Sequence, residues 1–368
     1  MQGGLGDDRY VVSVAGDTLV EYGGEAEGID TVETGLAAYT LRDNFERLIY
    51  SGAGTFTGAG NGAANLLSGG AHNDRLAGMA NNDHLVGGAG DDVLLGGAGS
   101  DVLDGGDGMD TVDYSDASGH VTIRLHTGNT IDGAWGDTLL GIENATGSAF
   151  DDTIFGTAGA NILAGGAGSD VLLGLAGDDV LIGGAGAPNT LQGGLGDDRY
   201  VVALVGDTLV EFSGEGNDTV ETALTAYALR DHFENLTYTG TGAFTGIGNA
   251  LANVLTGAAG ADTFTGGQGA DIIHGADGVD TVVMAGLRAD YAIAAEGDHF
   301  TITDSVAGRD GVDTLYGVER IRFSNGEILD LTAPAAPAAF LEALLDHHGP
   351  AVRPIDDVFL TVSDWNDL

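Results

Sequence analysis

The feature that most constrains this chain is a nine-residue repeat rich in glycine and aspartate. Five consecutive units run from Gly69 to Asp113, with the sequences GGAHNDRLA, GMANNDHLV, GGAGDDVLL, GGAGSDVLD and GGDGMDTVD. Each unit begins with glycine, has an acid at its sixth position and has an apolar residue at its eighth. The same phase returns over residues 147–201 and 248–283. A repeat of this length predicts short strands that stack into a parallel solenoid.

The residue types within one unit predict a calcium-binding loop. Glycine at the first, second and fourth positions permits the positive φ angles of a tight turn whose carbonyl groups face inward. Carbonyl and carboxylate oxygens are hard ligands, and Ca²⁺ takes about six to eight of them at roughly 2.3–2.6 Å. Because one loop offers fewer than that, two loops must share each ion.

Two nine-residue units make one turn of the solenoid, so each loop stacks on the loop two units later. The sixth-position acids that this arrangement pairs are Asp74 with Asp92, Asp83 with Asp101, and Asp92 with Asp110. The apolar eighth residues should lie on short strands, point inward and form a narrow continuous core. In the first block these residues are Leu76, Leu85, Leu94, Leu103 and Val112.

These units resemble the hemolysin-type calcium-binding nonapeptide, GGxGxDxUx with U apolar, of the repeats-in-toxin (RTX) proteins. The resemblance implies an all-β fold, a right-handed parallel β-roll solenoid with a C-terminal β cap and a short helical tail. It implies roughly six to ten Ca²⁺ ions between successive loops. The implied ligand carboxylates are Asp74, Asp83, Asp92, Asp101, Asp110, Asp152, Asp170, Asp179, Asp198, Asp262, Asp271 and Asp280. The implied loop glycines are Gly87, Gly88, Gly90, Gly96, Gly97, Gly99, Gly165, Gly166, Gly168, Gly266, Gly267 and Gly269.

Several units depart from the repeat, and we expect them to hold calcium weakly or not at all. The acid is replaced in four units, by Asn65, Asn161, Asn189 and Asn253. The fourth glycine is replaced in four units, by His72, Asn81, Phe150 and Leu251. The unit GGAGAPNTLQ, which begins at Gly183, has ten residues and a proline, so we expect the stacking register to break there.

The charge of the chain supports metal-driven folding. Fifty-six acids against twelve bases give a net charge of −44, and a compact fold brings those carboxylates close together. Such a chain with 65 glycines lies near the disordered class until cations bind, so ion-binding free energy becomes folding free energy. The acidic surface argues against nucleic acid and against anionic membranes as partners.

The sequence contains no cysteine. It also lacks a Sec signal in MQGGLGDDRYVV and an apolar run of about eighteen residues, so we expect no membrane insertion. The RTX resemblance implies secretion from a Gram-negative bacterium to the medium or the cell surface, with the type I secretion machinery as a partner. That machinery would act on the unfolded chain at low calcium.

A longer repeat overlies the short one. GGLGDDRYVV occurs at Gly3 and at Gly193, and GDTLVEY at Gly16 recurs as GDTLVEF at Gly206, which indicates a tandem duplication. The segments between the blocks alternate apolar and polar residues, so we expect strands that continue the stack without calcium loops. A repeated phrase in these segments contains Glu46, Glu143, Glu234 and Glu319, which we expect to accept hydrogen bonds from backbone donors at turns rather than to catalyse.

These patterns divide the chain into segments. Calcium-roll blocks are expected at 60–113, 147–201 and 248–283; the β segments between and around them are 1–59, with one nonapeptide, 114–146, 202–247 and the capping segment 284–331. Residues 332–368 contain a Pro/Ala linker, a short helix and a tail that resembles a type I secretion signal. Because no capping segment precedes the nonapeptide at Gly3, we expect this chain to be the C-terminal part of a longer protein. The alternative is that a second molecule covers the first roll.

Motifs of catalysis are missing from the sequence, which has neither HExxH nor GxSxG, so we expect no enzyme activity in this chain. A pore-forming RTX toxin needs a long apolar segment and acylated lysines, whereas all twelve bases are arginine. The remaining interpretations are a C-terminal folding and secretion module, with a hydrolase domain upstream as one version, or an adhesin, surface-layer or biofilm-matrix protein that contacts glycans, cell surfaces or its own copies. We favour the folding and secretion module.

Overall fold

A computed structural model describes residues 1–21, 28–132 and 136–331. Within these residues the chain forms 37 β-strands and two single-turn 3₁₀ helices, at Leu125–Thr127 and Arg288–Asp290. Most neighbouring strands run parallel, and they wind into a solenoid of about 15 turns. The predicted all-β parallel roll is therefore confirmed. No helix of the described residues has the length and hydropathy needed to cross a membrane.

The first eleven strands extend to the end of the first repeat block. They lengthen to six residues within the block, where the glycines after the apolar residue join the strand. Their bounds are β1 Arg9–Val12, β2 Thr31–Thr34, β3 Ala38–Thr40, β4 Arg47–Tyr50, β5 Thr57–Ala59, β6 Leu66–Ser68, β7 Arg75–Ala80, β8 His84–Ala89, β9 Val93–Ala98, β10 Val102–Asp107 and β11 Thr111–Asp113.

The next thirteen strands form the connector, the second block and the start of the second module copy. Their bounds are β12 Val121–Arg124, β13 Asn129–Asp132, β14 Thr138–Leu140, β15 Asn144–Thr146, β16 Thr153–Phe155, β17 Ile162–Ala164, β18 Ala167–Gly168, β19 Val171–Ala176, β20 Val180–Ile182, β21 Ala185–Gly186, β22 Thr190–Leu195, β23 Arg199–Val202 and β24 Thr208–Val210.

The last thirteen strands form the remainder of the second copy, the third block and the C-terminal segment. Their bounds are β25 Thr219–Thr222, β26 Ala226–Ala228, β27 Asn235–Tyr238, β28 Thr245–Ile247, β29 Val254–Thr256, β30 Thr263–Thr265, β31 Ile272–His274, β32 Thr281–Val283, β33 Tyr291–Glu296, β34 His299–Asp304, β35 Val312–Tyr316, β36 Arg320–Arg322 and β37 Ile328–Asp330.

Successive core strands of the blocks alternate between facing sheets, so a strand pairs with the strand two places along in the first and third blocks and three places along in the second, where β18 and β21 intervene. One sheet has 13 strands, in the order β1-β2-β4-β6-β8-β10-β14-β13-β12-β16-β19-β22-β24. A second has 16, in the order β3-β5-β7-β9-β11-β15-β17-β20-β23-β25-β27-β29-β31-β35-β34-β33, and a third has six, β26-β28-β30-β32-β36-β37. The strands β18 and β21 pair separately, within stacked loops.

The core is a narrow stack to which most strands contribute one inward side chain. Leu76 pairs with Leu94, and Leu85 with Leu103, in parallel register. All five predicted eighth-position residues of the first block are 0% exposed, which confirms the predicted core. The stack continues through the segments between the blocks, for example at Ile123, because their alternating strands also turn one apolar face inward.

Antiparallel strands end the sheets where the capping segment was predicted. β34 pairs antiparallel with β35, and β33 with β34, while β37 closes the six-stranded sheet on β36. The loop of this segment is held by Arg309, whose guanidinium donates to Asp304 Oδ1 at 2.6 Å and to Asp290 Oδ2 at 3.0 Å. The predicted linker, helix and secretion tail at 332–368 lie outside the described residues.

The predicted break of register at the ten-residue unit is wrong. Before its proline, Gly186 pairs with Gly168, and after it Leu191 pairs with Leu172, one residue further along. The extra residue is taken up in the loop, where the Ser169 hydroxyl donates to the Pro188 carbonyl at 2.6 Å. Stacking continues because burial of the inward leucine sets the strand phase, whereas a surface loop accommodates one more residue.

The two copies of the long module enter the solenoid on opposite faces. Strands β1 and β4 belong to the 13-stranded sheet, whereas their equivalents β23 and β27 belong to the 16-stranded sheet. Both sheets turn their apolar residues toward the same core, so an identical strand sequence such as RYVV fits either face.

Candidate calcium sites

The stacked acids form a hydrogen-bonded ladder along each side of the roll. The backbone N–H of Asp74 donates to Asp92 Oδ1, and that of Asp92 donates to Asp110 Oδ1, both at 2.7 Å. On the other side the N–H of Asp83 donates to Asp101 Oδ1 at 2.8 Å. Each side chain thus reaches back one turn to the sixth residue of the loop below it, which confirms the predicted pairing of loops.

The four glutamates of the repeated phrase each accept one backbone hydrogen bond from an acid of such a ladder. The donors are the N–H groups of Asp30, Asp110, Asp218 and Asp280, and the acceptors, at 2.8–2.9 Å, are Glu46, Glu143, Glu234 and Glu319. The predicted structural role of these glutamates is confirmed.

The ladders also include five acids that the sequence reasoning missed. They are Asp30, Asp137, Asp207, Asp218 and Asp313, which accept backbone N–H groups from the preceding turn. None of the five belongs to a glycine-rich unit, but each precedes Thr and then a buried apolar residue, as in Asp137-Thr138-Leu139. An acid two positions before an inward residue was therefore the available signal.

The loops adopt two conformations, which we call open and closed. In an open loop the second residue has a positive φ, as at Gly88 (120°) and Gly97 (89°). Three open loops hold another residue there, Met79, Leu175 and Ala276, at φ 87°, 84° and 75°. Positive φ costs such residues about 1–2 kcal/mol, so the surrounding stack must impose the conformation.

In a closed loop the second residue donates its N–H back to the side chain of its own sixth residue. Three predicted ligands are held in this way: Gly70 N–H donates to Asp74 Oδ2 at 2.6 Å, Ser148 N–H to Asp152 Oδ2 at 2.5 Å, and Ala258 N–H to Asp262 Oδ2 at 3.0 Å. The loops of Asn65, Asn161 and Asn253 close through the same contact at 2.6–2.7 Å.

Open loops leave one carboxylate oxygen without a partner. Among the described residues the Oδ2 atom is buried and unpartnered in nine of the predicted ligands: Asp83, Asp92, Asp101, Asp110, Asp170, Asp179, Asp198, Asp271 and Asp280. Each of these residues is at most 3% exposed. Burial raises the pKa of Asp83 and Asp92 to about 7 and that of Asp110 to about 6, because the buried anion lacks water.

Backbone carbonyls of the stacked loops face the same region. A Cβ atom built on Gly87 would fall against Asp92 Oδ2 and 2.7 Å from the Gly105 carbonyl oxygen of the next turn. A Cβ built on Gly106 would collide with the carbonyl oxygen of Gly88. Carboxylate and carbonyl oxygens thus meet in the space that these glycines leave, and this all-oxygen donor set fits Ca²⁺.

The predicted glycines all lie in open loops, whose acids are Asp92, Asp101, Asp170 and Asp271. The loop of Asp83, expected to be weak because Asn81 replaces glycine, is open as well, since asparagine tolerates its φ of 68°. The loop of Asp262, which we expected to bind, is closed. The structure therefore separates twelve predicted ligands into nine with a free oxygen and three without.

The family model of the RTX calcium-binding nonapeptide repeat matches this chain at residues 57–85, 78–112, 137–172, 146–181, 165–187, 173–209 and 247–282. These are RTX calcium-binding repeats. The matched segments contain all twelve predicted ligand aspartates, in open and closed loops alike. RTX repeats bind calcium, and the open loops of this chain offer the oxygen ligands that the ion requires.

One curated relative of this chain is endo-1,3-1,4-beta-glycanase ExsH of Rhizobium meliloti (strain 1021). It is 42% identical over 71 residues, which are 19% of this chain and 15% of the relative. The similarity covers a small part of the relative's length, and its glycanase name describes that protein.

Proposed function

We propose that this chain is an extracellular calcium-binding module that folds when it meets Ca²⁺ after type I export, at the C-terminal end of a larger secreted protein. The observation that carries the proposal is the row of nine buried aspartates with unpartnered Oδ2 atoms. A buried anion without a partner opposes folding, whereas a cation shared between two such loops stabilises the folded stack.

The open loops also suggest where calcium binds most tightly. Two open loops that both carry an acid follow one another at three places in the described stacks: Asp83 with Asp101, Asp92 with Asp110, and Asp179 with Asp198. We propose these three interloop positions as the tightest sites. Further ions, to a total of roughly six to ten, would lie between an open loop and a closed loop or a glutamate.

A folding switch of this kind suits export through a channel. With a net charge of −44, the calcium-free chain repels itself and stays extended at the low calcium of the cytosol. Millimolar calcium outside the cell then supplies the folding free energy.

A passenger hydrolase upstream is the version of this proposal that a specific observation favours. A 71-residue part of this chain is similar to a relative named as a glycanase. On this interpretation the enzyme domain precedes residue 1, and the described roll is its folding and export module. Further rolls upstream, with no enzyme domain, would instead favour the adhesin or matrix interpretation.

The test measures the circular dichroism of the full chain, first in EGTA and then in millimolar calcium. We expect a largely disordered spectrum in EGTA and a cooperative return of β signal with calcium, whereas magnesium at the same concentration should restore little. A spectrum that excess chelator leaves unchanged would contradict calcium-driven folding.

A further inference from the structure

Two groups of three acidic side chains each join the sixth-position acid of one nonapeptide to two acids from outside the nonapeptides. One contains Asp198, Glu211 and Asp218, and its carboxylate oxygens, one from each residue, lie within 4.8 Å of one another. Glu211 directly follows β24, while Asp198 and Asp218 directly precede β23 and β25, so three successive segments of the solenoid meet here.

The second group, Asp8, Glu21 and Asp30, occupies the equivalent place in the first copy of the long module. One carboxylate oxygen from each of its residues also lies within 4.8 Å of the other two, although this copy enters the solenoid on the opposite face. The arrangement is therefore a property of the repeated module, independent of the face on which the module lies.

Buried oxygens without partners point into both groups. In the second copy Asp198 is 1% exposed and Glu211 is 7% exposed, and Asp198 Oδ2 and Glu211 Oε2 have no hydrogen-bond partner among the described residues. In the first copy the unpartnered atoms are Asp8 Oδ2, Glu21 Oε1 and Asp30 Oδ2. Two buried oxygens of separate carboxylates that face each other without a proton or a cation would repel strongly.

A tyrosine holds the glutamate of each group in place. The Tyr200 hydroxyl accepts the N–H of Gly193 at 2.5 Å and donates to Glu211 Oε1, which leaves Oε2 free. Tyr10 makes the same pair of contacts, with the N–H of Gly3 at 2.6 Å and with Glu21. The tyrosine thus fixes one oxygen of the glutamate and leaves the other buried without a partner, within the group that contains the two aspartates.

We propose that each group is a calcium site of a second kind, formed by three side-chain carboxylates rather than by a pair of glycine loops. Ca²⁺ bonds oxygen at roughly 2.3–2.6 Å, so oxygens up to about 5 Å apart can share one ion. The ion would clamp the first nonapeptide of each module to the two strands that follow it. This inference rests on the proposed calcium-dependent function but adds the glutamates Glu21 and Glu211, which lie outside the nonapeptides.

The experiment counts calcium ions on the intact chain by native mass spectrometry at saturating calcium. The double variant Glu21→Gln/Glu211→Gln keeps the shape of both side chains and should bind two ions fewer than wild type, and each single variant one fewer. Glu327→Gln, at an exposed position, is the matched control and should lose none.

The outcomes separate this inference from the proposed function. A wild-type chain that binds no calcium would end both, whereas equal ion counts in wild type and double variant would overturn only the carboxylate sites. If the double variant does not fold, a crystal structure of the wild-type chain grown in calcium decides. Calcium density between the three carboxylates of each module is expected, and its absence while the nonapeptide loops are filled would refute the inference.

Discussion

The repeat loop around Asp92 and the connecting turn around Asp137 use the same ladder but satisfy their second oxygen differently. Both acids accept a backbone N–H from the preceding turn, from Asp74 and Asp101 respectively. Asp137 Oδ2 then accepts the Tyr114 hydroxyl at 2.8 Å. Asp92 Oδ2 has no partner in the described part of the chain. The unpartnered oxygen that a cation could bind is therefore a property of the individual turn rather than of the solenoid.

Closed loops lie between these two cases. Asp74 stacks in a glycine-rich loop like that of Asp92, yet both of its oxygens accept backbone N–H groups, from Phe56 and Gly70. In each block the first loop of each stack is closed and the following loops are open, so each block begins with turns whose sixth side chain already accepts a hydrogen bond from its own loop. The predictions below test that division.

Calcium removal should have the largest effect and should act unevenly. In EGTA we expect the amides of β8 to β10, which lie between open loops, to lose at least about a hundredfold of their protection against hydrogen exchange. The β12–β13 hairpin of the connector should lose less, because its pairing is antiparallel and local. Equal losses, measured by hydrogen–deuterium exchange mass spectrometry, would remove the distinction between the two regions.

Alanine at an open-loop glycine should destabilise the calcium-loaded fold by about 2–4 kcal/mol. At Gly88 the φ is 120° and a Cβ atom would collide with the Gly70 carbonyl oxygen. Gly62→Ala is the matched control, since it lies in a closed loop with nothing within 4 Å of its Cβ and should change stability little. Urea unfolding in calcium measures both, and similar values would contradict the role of positive φ.

Asparagine substitution should separate open-loop from closed-loop acids. Asp101→Asn removes a free carboxylate oxygen between two open loops, so we expect calcium affinity at that site to fall about 10- to 100-fold. Asp74→Asn should change affinity less than about threefold, because Asn65, Asn161 and Asn253 already occupy closed loops with the same contact. Calorimetric titration measures the calcium affinity of both variants. Equal losses of affinity would contradict the assignment of Asp101 to an open loop and Asp74 to a closed loop.

Acid should partly replace calcium. The folded-state pKa of Asp92 and Asp179 is about 7, above the unfolded value of about 3.9, so the metal-free fold binds these protons more tightly. That stabilisation is complete below about pH 4 and disappears as the pH rises through about 7. We therefore expect calcium-free chain at pH 5 to show more β signal by circular dichroism than at pH 7.5. Calcium affinity should fall over the same interval, and a metal-free β signal that decreases on acidification would contradict the sign.

Glycine at a strained open-loop position should give the smallest effect. Leu175 is 41% exposed and has a φ of 84°, so Leu175→Gly should relieve strain at little loss of packing. We expect the calcium-loaded fold to gain up to about 1 kcal/mol in urea unfolding. Val171→Gly, at a partly exposed strand position, should instead destabilise.

Much of the candidate site was accessible from sequence because its determinants are local. The spacing of Asp92 and Leu94 places an acid at a turn and an apolar residue on a strand, and both positions agree with the structure. The role of Glu46 at the turn also followed from its fixed place in a repeated phrase. The grouping of Glu211 with Asp198 and Asp218 could not be predicted in this way, because these partners are 13 and 7 residues away, outside the nine-residue spacing, and only the path of the turns brings them together.

The nine-residue period was sufficient to determine the strand phase, the inward residues and the pairing of loops, since alternation along a strand and glycine in a turn act over a few residues. The tertiary structure alone decided which face each module copy occupies and which acids find partners. The physical reason is distance along the chain. Each acid meets its donor one turn away, and that turn spans 18 residues at Asp92, 20 at Asp218, 36 at Asp137 and 42 at Asp313.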